Sequence, residues 1–211
     1  MAYEAIDPQP EEVAPRLARL DLVLDDLLIP VRAGVAARRT ATAHHPRAYS
    51  GWRDYGERVA ALRDGLVPRA WSAAEEEGVC LTVHPEGRLA IMTAVGTSGT
   101  GTADDVTTRR SRGKVTEKIV GVNAQLELEL HYAQPEPALR NAKTPTWVLL
   151  VCVEGDEVRS ELSLAEHIDE DGYIDRWVDR IPLPVIRLND LLDDEGPDEP
   201  PADADFDVPE L

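Results

Sequence analysis

At residue 79 the hydrophobic period of this chain changes. Before it, apolar residues recur every three to four positions. After it, they recur every two. A chain that switches period once is read as helices followed by strands, the pattern of an α+β fold.

The helical part has two stripes. Val13, Leu17, Leu20, Leu24 and Leu27 fall at spacings 4, 3, 4, 3, one face of a helix. Pro15 fits only a first turn, so the helix is expected to begin near Ala14, and Pro30 is expected to stop it. Trp52, Tyr55, Val59, Leu62 and Leu66 form the second stripe, with Ser50 as its cap and Gly65 and Pro68 at its end. The two stripes are expected to pack together, or one of them to form a homodimer seam. Residues 31–51 read as an exposed connection. Ala70 to Glu77 reads as a short helix ended by Gly78.

The second part reads as hairpins. Val79 to Val83 and Arg88 to Val95 flank HPEG, and Trp147 to Val153 and Val158 to Leu164 flank EGDE, with Gly87 and Gly155 placed in the turns. Gln125 to Tyr132 alternates Leu126, Leu128, Leu130 and Tyr132 with Gln125, Glu127, Glu129 and His131, which predicts a strand. Tyr173 to Ile186 reads as extended, confined to a sheet edge by Pro182 and Pro184. The expected fold is α+β: a helical region 1–78 packed on a mostly antiparallel sheet of about five strands, 79–188. Residues 189–211 are expected to be a disordered acidic tail, because few apolar groups there offset ordering entropy.

The net charge is −18, and ten of those charges lie in the tail. Such a chain repels phosphate backbones as a whole and attracts basic partners. No apolar run approaches ~18 residues, so no membrane span is expected. MAYEAIDPQPEE has no secretory features, which points to the cytoplasm. Cys80 and Cys152 lie in apolar runs and read as buried, reduced thiols.

Two segments oppose the acidic trend. Residues 31–70 carry a net +5 and residues 106–120 a net +4. Arg38, Arg39 and Arg47 in the first and Arg109, Arg110, Arg112 and Lys114 in the second are the candidate nucleic-acid-binding residues. Tyr49, Trp52 and Tyr55 lie near them in sequence. The plainer alternative pairs these arginines with the protein's own carboxylates.

Other chemistry is weaker. The run GTSGTGT, Gly96 to Thr102, has no Lys after Gly101 and reads as a flexible loop rather than a phosphate loop. Glu127, Glu129 and His131 could ligate a divalent metal from one strand face, although alternate residues there stand ~6.6 Å apart. A solvated face is the simpler reading. Asp156, Glu157, Arg159 and Glu161 lack the lysine of a PD-(D/E)xK nuclease. His44 and His45 have no acidic neighbour to orient them. No cofactor is expected.

The stretches VHPEGRLAI, Val83 to Ile91, and WVLLVCVEGDEVRSELSLAEHIDEDGYIDRWVDRIPLP, Trp147 to Pro184, resemble an uncharacterised group of proteins from high-GC actinobacteria and their mobile elements. The resemblance spans about residues 45–187. It implies a fold and carries no activity, ligand or catalytic residue. The sequence therefore points to a non-enzymatic interaction or regulatory protein that binds a basic protein partner, in a mobile-element or defence setting. The alternative is a nucleic-acid-associated accessory protein using the Arg islands; a metal-dependent hydrolase comes third.

Overall fold

Two apolar clusters on opposite faces of one sheet set the architecture of the computed structural model, which describes residues 5–132 and 144–189, without the side chains of 124–132. The sheet has seven strands: β1 (Ser72–Glu76), β2 (Val79–Val83), β3 (Ala90–Val95), β4 (Thr146–Glu154), β5 (Glu157–Ile168), β6 (Ile174–Pro182) and β7 (Ile186–Arg187). The order is β1-β2-β3-β4-β5-β6, with β7 also on β5, and only β3 and β4 run parallel. Ile91, Leu149, Val151 and Leu162 face α1 (Pro10–Ala18), α2 (Asp25–Arg39) and α3 (Tyr49–Leu66). Met92, Ala94, Val148 and Leu150 face α4 (Lys114–Tyr132), the crossover between the parallel strands.

The fold class is as expected: α+β, mostly antiparallel. The boundary expected at 78 instead falls inside one hairpin, since β1 pairs with β2 from Ser72↔Val83 to Glu76↔Val79. Helices and sheet therefore share a core. Glu77 and Gly78, with φ of 45° and 86°, make the two-residue turn. Two successive positive φ values fit the twist of a tight hairpin, and this pairing overrides the helix expected over 70–77.

The first expected helix is two. Asp21, at φ 56°, turns the chain between α1 and α2. Its carboxylate receives His84 Nε2 at 3.0 Å and pairs with Arg88, and its carbonyl accepts from Arg69 at 2.5 Å. Glu86 N–H donates to His84 Nδ1 at 3.1 Å, which leaves Nε2 facing Asp21 and Arg88. This network holds a left-handed residue that the apolar stripe does not reveal.

Both prolines lie inside helices, Pro15 in α1 and Pro30 in α2. Each forfeits one backbone bond. Burial of Leu17 beside the first, and of Val31 and Val35 beyond the second, offsets that loss. Pro30 thus does not end a helix, and residues 31–39 are helical rather than a connection.

The strand expected over 125–132 is also overturned, because the backbone is helical from Lys114 to Tyr132. Thr116, Ile119, Val120 and Asn123 are buried at helical spacing ahead of it. Leu, Glu and Gln are strong helix formers, and no β-branched residue interrupts 124–132. β6 does lie at the sheet edge and ends at Pro182, as expected. No helix among the described residues is long and apolar enough to cross a membrane. The acidic tail from 190 onward lies outside the described residues.

Candidate anion-binding cleft

The two Arg islands, more than fifty residues apart in sequence, meet at one cleft of about 580 Å³. Arg38 comes from the last turn of α2 and Arg47 from the loop before α3. Arg58 comes from within α3, and Arg109, Arg110 and Arg112 come from the segment after β3. Asp54 is the one carboxylate among the lining residues. Thr93, Ala94 and Val95 of β3 form a wall, so the cleft opens where the parallel pair ends. Crevices at the carboxyl ends of parallel strands are common ligand positions.

Backbone pairing holds the second island in place. Arg109 N–H donates to the Val95 carbonyl at 2.8 Å, and Thr108 bridges Gly96. Arg112 N–H donates to the Gly172 carbonyl at 2.6 Å. Gly172 has φ 87°, and a Cβ there would stand 2.9 Å from the Arg112 carbonyl oxygen. Only glycine lets the β5–β6 turn approach this closely.

The electrostatics are unbalanced. Arg58 is 1% exposed and donates to Asp54 and, at 3.5 Å, to Thr93 Oγ1. Burial pulls its guanidinium below the ordinary arginine range, and Asp54 opposes that pull. Arg38 reaches the other Asp54 oxygen at 3.9 Å. Asp54 is thereby committed twice. Arg47, Arg109, Arg110 and Arg112 have no ion-pair partner among the described residues. Burial also pulls down Arg112, with Tyr55 opposing it and Arg110 adding to it. Burial in turn raises the Tyr55 hydroxyl. The Nε groups of Arg58 and Arg112 are buried without a hydrogen-bond partner.

The N-terminus of α3 adds to the same wall through Ala48, Ser50 and Gly51. Its first turn has no acidic residue and no side-chain cap, so the expected Ser50 cap is not made. Trp52, in the lining, is 66% exposed, and Tyr55 is 37% exposed. Both were expected on the buried stripe, whose buried part is instead Val59, Leu62 and Leu66.

Of the candidate residues, Arg38, Arg47, Arg109, Arg110 and Arg112 come together. Arg39 turns away and donates to the Leu188 carbonyl at 3.4 Å, and Lys114 begins α4 outside the lining. Sequence reasoning missed Asp54, the open end of α3 and the exposure of Trp52. A tryptophan opening a stripe whose next turn carries Asp54 and Arg58 was the available signal.

The other candidates do not assemble. Glu127, Glu129 and His131 lie in α4, where steps of two are about 200° apart, so the shared strand face is lost. No cluster of metal-ligating groups occurs among the described residues. The GTSGTGT loop is packed rather than loose. Fully buried Glu161 accepts from Gly101 N–H at 2.8 Å, Ser163 Oγ at 2.7 Å, and Arg180 at 3.0 and 2.7 Å. The protein's own carboxylate thus occupies the glycine N–H that a phosphate would need. His45 accepts from Thr42 N–H at 3.0 Å and stacks on Tyr49, closing a local turn. Cys80 and Cys152 are unpaired thiols, the first half-buried and the second buried.

A separate groove beside α4 is acidic, with Glu117, Glu166, Asp169 and Glu170 around His167, which meets Asp175 at 2.7 Å. No protein-family model, curated protein or solved structure matches this chain.

Proposed function

We propose that the protein is a non-enzymatic, nucleic-acid-associated accessory protein that holds phosphates in the arginine cleft. The observation that carries this is the convergence of six arginines around a single carboxylate, four of them without an ion-pair partner among the described residues. Guanidinium forks match phosphate oxygens and stay charged at any working pH. The surrounding acidic charge confines favourable contact to about a Debye length around the cleft, ~8 Å at physiological salt. A short segment of nucleic acid therefore suits this surface better than a long duplex. The mobile-element setting rests on the sequence resemblance alone.

The test is fluorescence anisotropy with a labelled oligonucleotide at two salt concentrations. The triple variant Arg109→Ala, Arg110→Ala, Arg112→Ala is expected to abolish binding at moderate salt. Each single variant should lower the salt slope by about 0.7 if its arginine meets one single-strand phosphate. Unchanged affinity in the triple variant, or no binding by the parent chain, rejects the reading. The acidic groove beside α4 favours a second reading, docking of a basic protein segment, which a charge-reversed Glu166→Lys, Glu170→Lys variant would weaken.

A further inference from the structure

The cleft contains two kinds of unused donor. Ser50 and Gly51, in the first turn of the 18-residue helix α3, have backbone N–H groups with no partner among the described residues. Such a turn carries a positive partial charge and normally receives a capping side chain or an anion. Here it receives neither from the described residues. The second kind is the guanidinium groups of the segment after β3. Arg109, Arg110 and Arg112 line the same space without an ion-pair partner among the described residues, and Arg112 buries an Nε–H without an acceptor. A buried donor left unmade costs about 1–3 kcal/mol. Donors from one helix and the segment after β3 thus line one cleft, where a bound acceptor would meet both.

The charge of that acceptor can be estimated. A phosphodiester carries one negative charge, whereas a phosphomonoester carries about 1.5 to 2 near pH 7. Four arginines without ion-pair partners and an open helix end match the larger charge. The wall of the cleft is β3, whose Thr93 and Ala94 are buried, so the space is backed by the sheet. The body outside is acidic, and the rest of a strand gains nothing from following it. An end entering the cleft fits these constraints better than a strand crossing it. Trp52, exposed on the rim, offers a face for one unstacked base, worth roughly 1–3 kcal/mol.

We propose that the N-terminus of α3 and the arginines around it form a subsite for a terminal phosphomonoester, the phosphorylated end of a single strand, with the adjoining base laid on Trp52. The proposal rests on the nucleic-acid reading above and specifies its ligand.

The experiment measures the affinity of the full chain for one short single-stranded oligonucleotide in 5′-phosphorylated, 3′-phosphorylated and unphosphorylated forms, and for the 5′-mononucleotide. One terminal phosphate is expected to strengthen binding about tenfold or more, equal to about 1.4 kcal/mol. Gly51→Asp should erase that gain. The site has open space for the new side chain, and an acid in the first turn suits the helix, so the melting temperature should hold or rise. Gly51→Asn, of similar size but neutral, should keep most of the gain. Trp52→Ala should weaken all oligonucleotide forms together.

Equal affinity for all three forms, with Arg109, Arg110 and Arg112 still required, overturns the terminal-phosphate proposal and leaves the nucleic-acid reading standing. A mononucleotide that binds as tightly as the phosphorylated strand overturns the nucleic-acid reading, and with it a strand end as the ligand, leaving only a phosphomonoester site. No binding by any form overturns both.

Discussion

Replacing Asp54 with alanine tests the electrostatic skeleton of the cleft most directly. Asp54 is 3% exposed and Arg58 1%. Apart from Asp54, Arg58 has one bond at the limit of hydrogen-bond length, to Thr93 Oγ1 at 3.5 Å, and its Nε has none. Asp54→Ala therefore leaves a buried guanidinium almost unpaired. Breaking one side of a buried ion pair costs about 3–5 kcal/mol. At about 2–4 °C per kcal/mol for a chain of this size, the melting temperature should fall by roughly 6–20 °C. Arg38 loses its 3.9 Å contact in the same variant, a smaller effect because its side chain is 45% exposed. The double variant Asp54→Leu, Arg58→Met removes both charges and fills the space, so it should recover most of the loss. The assay is thermal and urea unfolding by circular dichroism, repeated at low and high salt, which should barely alter the difference for a buried pair. A single variant within about 1 kcal/mol of the parent, or a double variant no better than the single, would refute the reasoning.

Three further outcomes follow from other parts of the structure. Gly34→Ala puts a Cβ 2.6 Å from Asp54 Oδ1 and 2.8 Å from its carbonyl oxygen, so it should cost about 1–3 kcal/mol by chemical denaturation instead of adding the usual helix gain of ~1 kcal/mol. Glu161→Ala strands the Gly101 N–H and leaves Arg180 only its bonds to the Gly99, Thr102 and Asp104 carbonyls, so hydrogen exchange of residues 97–106 should rise above the parent; unchanged protection would show that the loop holds without Glu161. Burial pushes the Cys152 thiol up, which lowers its thiolate fraction at any pH below that raised value, so iodoacetamide near pH 8 should label half-buried Cys80 first, and faster labelling of Cys152 would contradict its burial.

What the sequence showed was local. The hairpins flanking HPEG and EGDE were legible because strand period and turn glycine agree over a few residues, as Gly87 and Gly155 at φ 66° and 60° bear out. α3 was legible from Val59, Leu62 and Leu66. Leu126, Leu128 and Leu130 misled, because period two outweighed the helix propensity of the same residues. Asp21 was hidden because its left-handed turn depends on His84, Arg69 and Arg88, far along the chain. The arginine residues of the cleft were legible as two islands of charge. Their convergence was not, because it depends on the parallel β3–β4 pairing and on Arg109 folding back on Val95.

That parallel pairing also has a consequence for biosynthesis. Fifty residues separate Val95 from Thr146, so a ribosome adding roughly 5–20 residues per second makes β4 several seconds after β3. Throughout that interval Ile91, Met92 and Ala94 sit on a strand whose central neighbour has not yet been made, although all three are buried in the finished sheet. The nascent amino-terminal half thus exposes apolar strand surface for that time. A message truncated between β3 and β4 would yield a sticky fragment rather than a smaller working protein.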